Sequence, residues 1–245
     1  MLKKLYDKSE LTFAIIWIVI YCVSMSLGDG LSLKTGVERS ISFIIGSFLS
    51  VTLLLFLKKH NLTVAYGLRP SMIPSARVLW YIPLVILLSA NLWFGVTLNY
   101  SALETVLYIL TMLCVGFLEE LIFRGLLFNA MKKDNPKAAV LVSSLTFGIG
   151  HIINLFNGSG AHPVSTLLQV IYAASAGFMF VMLYCKTKSL LACIITHGSF
   201  NALSVFSVEV QSVKLEILSC VFLTVITGAY GIYLLFEAKR SYDKK

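Results

Sequence analysis

Charged residues are scarce in this chain, at 13% of its 245 residues, whereas an ordinary soluble domain carries about a quarter. Hydrophobic residues make up 58% of the sequence, and its mean hydropathy is +0.85. This balance argues against a soluble globular protein and predicts an integral membrane protein.

Several motifs of known enzyme classes are also missing. The chain contains neither GxSxG nor HExxH, which argues against a nucleophile-elbow serine hydrolase and a zinc site of the HExxH type. Its five cysteines show no CxxC spacing, and all fall within or at the edge of apolar runs. We therefore interpret them as small buried hydrophobes rather than as disulfide partners or thiolate ligands.

Eight apolar runs are long enough, or nearly so, to cross a hydrocarbon core of about 30 Å. They predict an all-α polytopic membrane protein of about eight transmembrane helices, with residues 1–245 forming a single membrane domain. The first run has basic residues before it and no small-residue cleavage site after it, so we expect a retained signal anchor. The runs are 11–28, 37–57, 78–98, 105–131, 138–156, 164–185, 189–207 and 215–236.

The positive charges are distributed unequally between the two sides of this arrangement. Of the 20 Lys and Arg residues, sixteen fall on the side of the termini, three on the other side, and Arg124 lies inside the fourth run. The positive-inside rule then predicts that both termini are cytoplasmic. Topology and anionic lipid explain the net charge of +8, so we expect contact with a lipid bilayer and no nucleic-acid partner. A bacterial cell membrane is favoured, and a eukaryotic endomembrane stays open.

Ionisable side chains inside the apolar runs are candidates for function, because a charge at the bilayer centre costs about 2.5 to 3.5 kcal/mol. A spacing of four places Glu120 and Arg124 on one helix face, and the same holds for Phe147 with His151 and for His197 with Asn201. Glu119 is turned about 100° from Glu120, so we expect it to face a different neighbour. The candidates are Glu119, Glu120 and Arg124 in the fourth run, His151 in the fifth, and His197 and Asn201 in the seventh.

Depth in the membrane brings these candidates together. With a rise of about 1.5 Å per residue, Glu119 and Asn201 lie about 18 Å from the cytoplasmic edge, His151 about 20 Å and His197 about 12 Å. Three helices that deliver polar groups to similar depths indicate a shared site rather than separate packing contacts.

The set suits hydrolysis of an amide bond. A carboxylate and an imidazole can hold a water molecule and remove its proton. A second imidazole and an amide can stabilise the oxyanion that forms. However, Glu119, His151 and His197 also match the ligands of a three-ligand catalytic zinc site. The residues alone leave both open, so the cofactor is either none or a divalent metal such as zinc.

Three motifs together resemble those of a known family. EELIFR (Glu119 to Arg124), FGIGH (Phe147 to His151) and HGSFN (His197 to Asn201) are similar to the EExxxR, FxxxH and HxxxN motifs of the CPBP family, also called Abi. That family includes Ras-converting CAAX endopeptidases and bacterial proteins linked to bacteriocin processing and immunity. The resemblance covers residues 104–207, which we interpret as the catalytic core.

The resemblance implies an intramembrane, glutamate-dependent protease, often labelled a metalloprotease, with a cavity open toward the cytoplasm or the bilayer. It implies that Glu119 activates water with His151, and that His197 and Asn201 stabilise the oxyanion. Glu120 and Arg124 would support the geometry of the site, as would Phe147.

Three functions compete at this point. The first is an endopeptidase that cleaves a peptide or membrane-protein substrate, for example in bacteriocin or peptide processing or in self-immunity. The second is a non-enzymatic immunity or peptide-binding protein with the same fold. A small ion or solute carrier is disfavoured, because the two halves of the chain show no paired interrupted helices.

Overall fold

The computed structural model describes residues 2–72, 81–156, 162–210 and 212–242, with the side chains of the last helix described as far as Glu237. Within these ranges the regular structure is helical, apart from an isolated antiparallel β-bridge between Val96 and Ser207. The prediction of an all-α protein is therefore confirmed.

We number the α-helices of the described residues in chain order. Among the described residues, three short 3-10 helices follow α4, α7 and α9. The helices are α1 (Leu2–Lys8), α2 (Glu10–Thr35), α3 (Ser40–Lys59), α4 (Ile82–Ser89), α5 (Ala102–Glu119), α6 (Asn129–Met131), α7 (Pro136–Gly150), α8 (Pro163–Thr187), α9 (Leu191–Leu203) and α10 (Val213–Tyr242).

Six helical segments of the described residues are long and apolar enough to cross a membrane, which makes the chain a multi-pass membrane protein. The two remaining predicted spans correspond to shorter apolar helices, Ile82–Leu92 and Leu191–Phe206. The longer of these extends only about 24 Å, because an α-helix rises about 1.5 Å per residue. Positions 78–80 of the third predicted span lie outside the described residues. The count of eight spans and the cytoplasmic termini stay predictions.

One end of the bundle carries the lysine clusters, and we call it the basic end. Lys133, after α6, donates a 2.6 Å bond to Glu10 at the start of α2. Lys186, near the end of α8, donates a 2.8 Å bond to the backbone carbonyl of Glu237 in α10. These contacts show that the start of α2 and the ends of α6, α8 and α10 lie together.

The opposite end, which we call the far end, is held by a different set of contacts. Arg39, before α3, pairs at 2.6 Å with Asp29 near the end of α2. The hydroxyls of Tyr108 in α5 and Ser204, just after α9, lie 3.0 Å apart. The far end therefore joins the end of α2, the starts of α3 and α5, and the end of α9.

Helices α5 and α9 touch through their backbones. A Cβ atom on Gly116 of α5 would lie only 2.5 Å from Cα of Gly198 in α9, so the α9 backbone leaves no room for a larger residue at position 116. Because His197 precedes Gly198, this close approach brings its imidazole next to the carboxylates at the end of α5.

The helix of the fourth predicted span is not α-helical throughout. Residues Glu120–Phe128 form a π-helix between α5 and α6, whereas the sequence predicted a regular helix. The carbonyl of Phe123 accepts a 2.9 Å bond from the Ser143 hydroxyl, and that of Gly125 accepts a 2.6 Å bond from the Asn129 amide. Side chains thus satisfy backbone carbonyls of this segment, and such segments occur frequently at functional sites.

Candidate active site

Glu120, Arg124 and His197 form a buried cluster. Arg124 Nη1 donates a 3.0 Å bond to Oε1 of Glu120, and both side chains are 0% exposed. His197 Nδ1 lies 2.9 Å from the same oxygen. Because a carboxylate oxygen only accepts, Nδ1 carries the hydrogen and donates it. The ion pair expected from the spacing of four is present, and it also holds the imidazole of the seventh predicted span.

Aromatic rings and a glycine surround the guanidinium of Arg124. Its Cζ lies 4.0 Å from the ring centroid of Phe147 and 5.4 Å from that of Phe180. A Cβ atom on Gly177 of α8 would lie 3.2 Å from Nη2. Cation–π contacts of this kind are stronger where the cation is desolvated, so the pocket partly offsets the cost of burying the charge.

Glu119 and Glu120 face the same imidazole, which corrects the expectation that they contact different neighbours. His197 Nε2 lies 3.5 Å from Oε2 of Glu119, while Nδ1 contacts Glu120. The expectation applied the regular 100° step of an α-helix, but the π-helix begins at Glu120. In addition, an imidazole presents nitrogens on two edges, so one ring reaches both carboxylates.

Tyr21 of α2 is a site residue that sequence reasoning missed. Its hydroxyl donates a 2.6 Å bond to Oε1 of Glu119. The other oxygen, Oε2, is buried and has no hydrogen-bond partner among the described residues. A tyrosine in the middle of a long apolar run was the available signal, because a buried hydroxyl needs a partner.

His151 and His197 pack against one ring, that of Phe147. The centroid distances are 5.3 Å to His151 and 5.4 Å to His197, both edge-on. His151 Nδ1 donates a 3.0 Å bond to the carbonyl of Phe147. Since the neutral ring has one donor and one acceptor, this bond leaves Nε2 of His151 as an acceptor.

A cavity of about 740 Å³ connects the candidate residues. Glu119, His151, His197 and Asn201 all line it, and so does Tyr21. Glu120 and Arg124 do not belong to the lining; they lie behind Glu119 and His197. The structure thus separates two adjacent carboxylates into one that faces the cavity and one that does not.

The cavity extends from this cluster to the far end of the bundle. Asp29, Arg39, Ser204, Glu209 and Glu216 contribute to its wall, and its described lining includes no lysine. The resemblance implied an opening toward the cytoplasm or the bilayer, whereas the wall here reaches the end opposite the lysine clusters.

The described histidine and acidic side chains do not form a complete metal site. Among the described residues, no group of three His, Cys, Asp or Glu side chains is placed to hold a metal ion. The Nδ1 atoms of His151 and His197 are both engaged, by the Phe147 carbonyl and by Glu120. The zinc alternative stays a prediction.

Comparison with known proteins identifies the central segment. Residues 101–203 match the family model described as Type II CAAX prenyl endopeptidase Rce1-like. No curated protein and no solved structure gave a match. The matched segment starts at Ser101, which caps α5, and ends at Leu203, the last residue of α9, so it contains all three motifs. This segment is therefore similar to the Rce1-like family of CAAX-type endopeptidases, and the match supports the family resemblance that the three motifs indicate.

Proposed function

We propose that the protein is an intramembrane endopeptidase in which Glu119 activates the attacking water. The observation that carries this proposal is the position of Glu119. It lines the cavity and its side chain is 14% exposed, whereas Glu120 is 0% exposed and paired with Arg124. Only Glu119 can therefore meet both a water molecule and a substrate.

The carboxylate of Glu119 is the general base in this mechanism. Oε1 accepts the Tyr21 hydroxyl, which fixes the carboxylate at the wall of the cavity. The carboxylate accepts a proton from the water as the water oxygen attacks the carbonyl carbon of the scissile bond. The same proton then passes to the leaving amine, and the second proton of the water stays on the carboxylic acid product.

His151 orients the water. Its Nδ1–H is held by the carbonyl of Phe147, so Nε2 accepts the hydrogen that Glu119 does not take. An imidazole with a fixed tautomer is suited to this task, because it can bind the water in one orientation only.

His197 and Asn201 stabilise the oxyanion. They are one helical turn apart on α9, and both line the cavity. The Asn201 amide is a hydrogen-bond donor. Nε2 of His197 is a second donor in the protonated form of the ring, which lies between the carboxylates of Glu119 and Glu120. Such donors in a site of low dielectric lower the barrier by about 3 to 4 kcal/mol each.

The substrates we propose are peptides or segments of membrane proteins in a bacterial cell membrane. Processing of a bacteriocin or another exported peptide, including self-immunity, is the role we favour. The family match supports a protease of the membrane, and the absence of long soluble segments among the described helices fits substrates that reach the site within the bilayer.

Substitution of Glu119 tests the mechanism. Purified protein in lipid nanodiscs is incubated with a library of quenched-fluorescent apolar peptides. We expect Glu119→Gln to reduce cleavage by about 100-fold or more, the usual size of a general-base contribution, with an unchanged melting curve. The matched control is Glu10→Gln, since Glu10 pairs with Lys133 at the basic end, far from the cavity. Cleavage by Glu119→Gln at the rate of the unsubstituted protein would refute the proposal.

The cavity itself supports a second candidate. A space of about 740 Å³ lies in the range of sites that bind small ligands, and a non-enzymatic immunity or binding protein needs no more than that. Its distinguishing result is protection of cells against a bacteriocin that persists in the Glu119→Gln variant, whereas an enzymatic role predicts loss of protection.

A further inference from the structure

The side of the membrane from which substrate enters follows from the two ends of the bundle. Contacts among the helices define these ends without reference to a membrane. Lys133 with Glu10 and Lys186 with Glu237 mark the basic end, and Arg39 with Asp29 marks the far end. Any segment that crosses the bilayer places these two ends on opposite sides.

The cavity follows each helix toward the far end. On α2 its lining continues from Tyr21 outward through Ser26 to Asp29, and on α5 it continues from Glu119 back to Tyr108. On α9 and the turn after it, the lining runs from His197 to Ser204. Helix α5 runs opposite to α2 and α9, yet the lining on all three leads to the same end.

The lysine clusters give this end an orientation. In the topology predicted from the sequence, sixteen of the 20 Lys and Arg residues fall on the side of the termini, which corresponds to the basic end, and the positive-inside rule predicts that this side is cytoplasmic. We propose that substrate reaches Glu119 from the extracytoplasmic face, as a segment of an exported peptide or of the outer part of a membrane protein. This inference rests on the proposed protease function and names the substrate class of the same site.

The charged residues where the cavity reaches the far end, which we call its mouth, indicate the charge of that substrate segment. Arg39 is paired with Asp29 at 2.6 Å. Glu209 and Glu216 also line the cavity, and no ion pair among the described residues involves either carboxylate. Clefts lined by one sign of charge concentrate ligands of the other sign, so the mouth favours a positively charged segment.

Cysteine labelling decides the side of entry. Ser26 lines the cavity one turn outward from Cys22, and Ser26→Cys is introduced into a chain whose five native cysteines are replaced by alanine. The comparator is Lys137→Cys, an exposed position near the start of α7 at the basic end. We expect a membrane-impermeant thiol reagent to label Ser26→Cys in intact cells and Lys137→Cys only in inside-out vesicles. The reverse pattern would overturn the inference.

The native chain provides the same measurement if the cysteine-free chain does not fold. Cys22 lines the cavity, whereas Cys185 precedes Lys186 at the basic end, and neither is fully buried. After labelling of intact cells, mass spectrometry should find the reagent on Cys22 rather than on Cys185. Labelling of Cys185 with Cys22 unmodified would contradict entry from outside.

Binding of two matched probes tests the charge of the segment. Two fluorescent peptides share one apolar core and carry either lysines or glutamates at both ends. They are titrated against the protein in nanodiscs of zwitterionic lipid. We expect the lysine probe to bind several-fold more tightly, and the difference to shrink in the Glu209→Gln, Glu216→Gln double variant and at high salt. Equal affinities in the unsubstituted protein would refute the charge preference.

These outcomes are separable from the fate of the proposed mechanism, because labelling and binding require no turnover. If Glu119→Gln abolishes cleavage while Ser26→Cys is labelled only from the cytoplasmic side, the protease mechanism stands and the entry side is wrong. If Glu119→Gln cleaves normally while Ser26→Cys is labelled from outside, the entry side stands and the mechanism is wrong.

Discussion

Glu120 holds the imidazole of His197 by accepting its Nδ1–H at 2.9 Å, although 77 positions separate the two residues. The same carboxylate oxygen accepts Arg124 Nη1 at 3.0 Å. Glu120 therefore neutralises a buried cation and fixes the ring of His197 at once, a structural task that leaves the adjacent Glu119 free to face the cavity.

The Glu120–Arg124 pair should show strong coupling in stability. Glu120→Gln leaves the guanidinium of Arg124 buried without its counter-charge, and Arg124→Met leaves the carboxylate uncompensated. Each single change should destabilise the protein by about 3 to 5 kcal/mol, measured by unfolding in detergent. The double variant should recover most of that loss but not the activity, because the charge that orients His197 is gone. Strictly additive effects would show that the pair is not coupled.

Tyr21 should matter for turnover rather than for folding. Tyr21→Phe removes the hydroxyl that holds Oε1 of Glu119, a hydrogen bond to a charged group worth about 1.5 to 3 kcal/mol. We expect kcat to fall by about tenfold or more, with KM little changed. Tyr6→Phe is the control, because that buried hydroxyl contacts Tyr66 at 2.7 Å, away from the cavity. An equal loss in both variants would indicate a general packing effect.

The glycine contact between α5 and α9 should be intolerant of a methyl group. Gly116→Ala would place a Cβ 2.5 Å from Cα of Gly198, so the helices must separate and His197 must move away from Glu119. Overpacking of this kind typically costs about 1 to 3 kcal/mol, and we expect cleavage to fall more than stability. At Gly30 of α2 a Cβ meets nothing within 4 Å, so Gly30→Ala should leave both melting and cleavage unchanged.

Two adjacent serines on α7 test the π-helix. Ser143 donates to the carbonyl of Phe123 in the π-helix at 2.9 Å, whereas Ser144 donates to Val140 in its own helix at 2.7 Å. Loss of a partner by a buried carbonyl costs about 1 to 3 kcal/mol, so Ser143→Ala should lower the melting temperature more than Ser144→Ala does. A reversed order would show that the inter-helix bond does not stabilise the π-helix.

Part of the site was predictable from spacing. Glu120 with Arg124 and His197 with Asn201 follow from helical periodicity, and the rise per residue placed Glu119 at the depth of His151 and Asn201. Spacing did not predict the π-helix at Glu120–Phe128, because the carbonyl of Phe123 within it accepts a bond from Ser143 of α7, a contact that depends on how helices meet. It also gave no means of linking Tyr21, which lies outside the matched segment, to Glu119.

The sequence by itself determined the membrane environment, the helical class and the identity of the polar residues that enter the bilayer, because hydropathy and helical periodicity are local properties. The tertiary structure decided which of two adjacent glutamates faces a cavity and toward which end of the bundle that cavity leads. Both depend on the close approach of α5 and α9 at Gly116 and Gly198 and on the convergence of helix ends that are distant in the chain. Such relationships arise only when the helices pack.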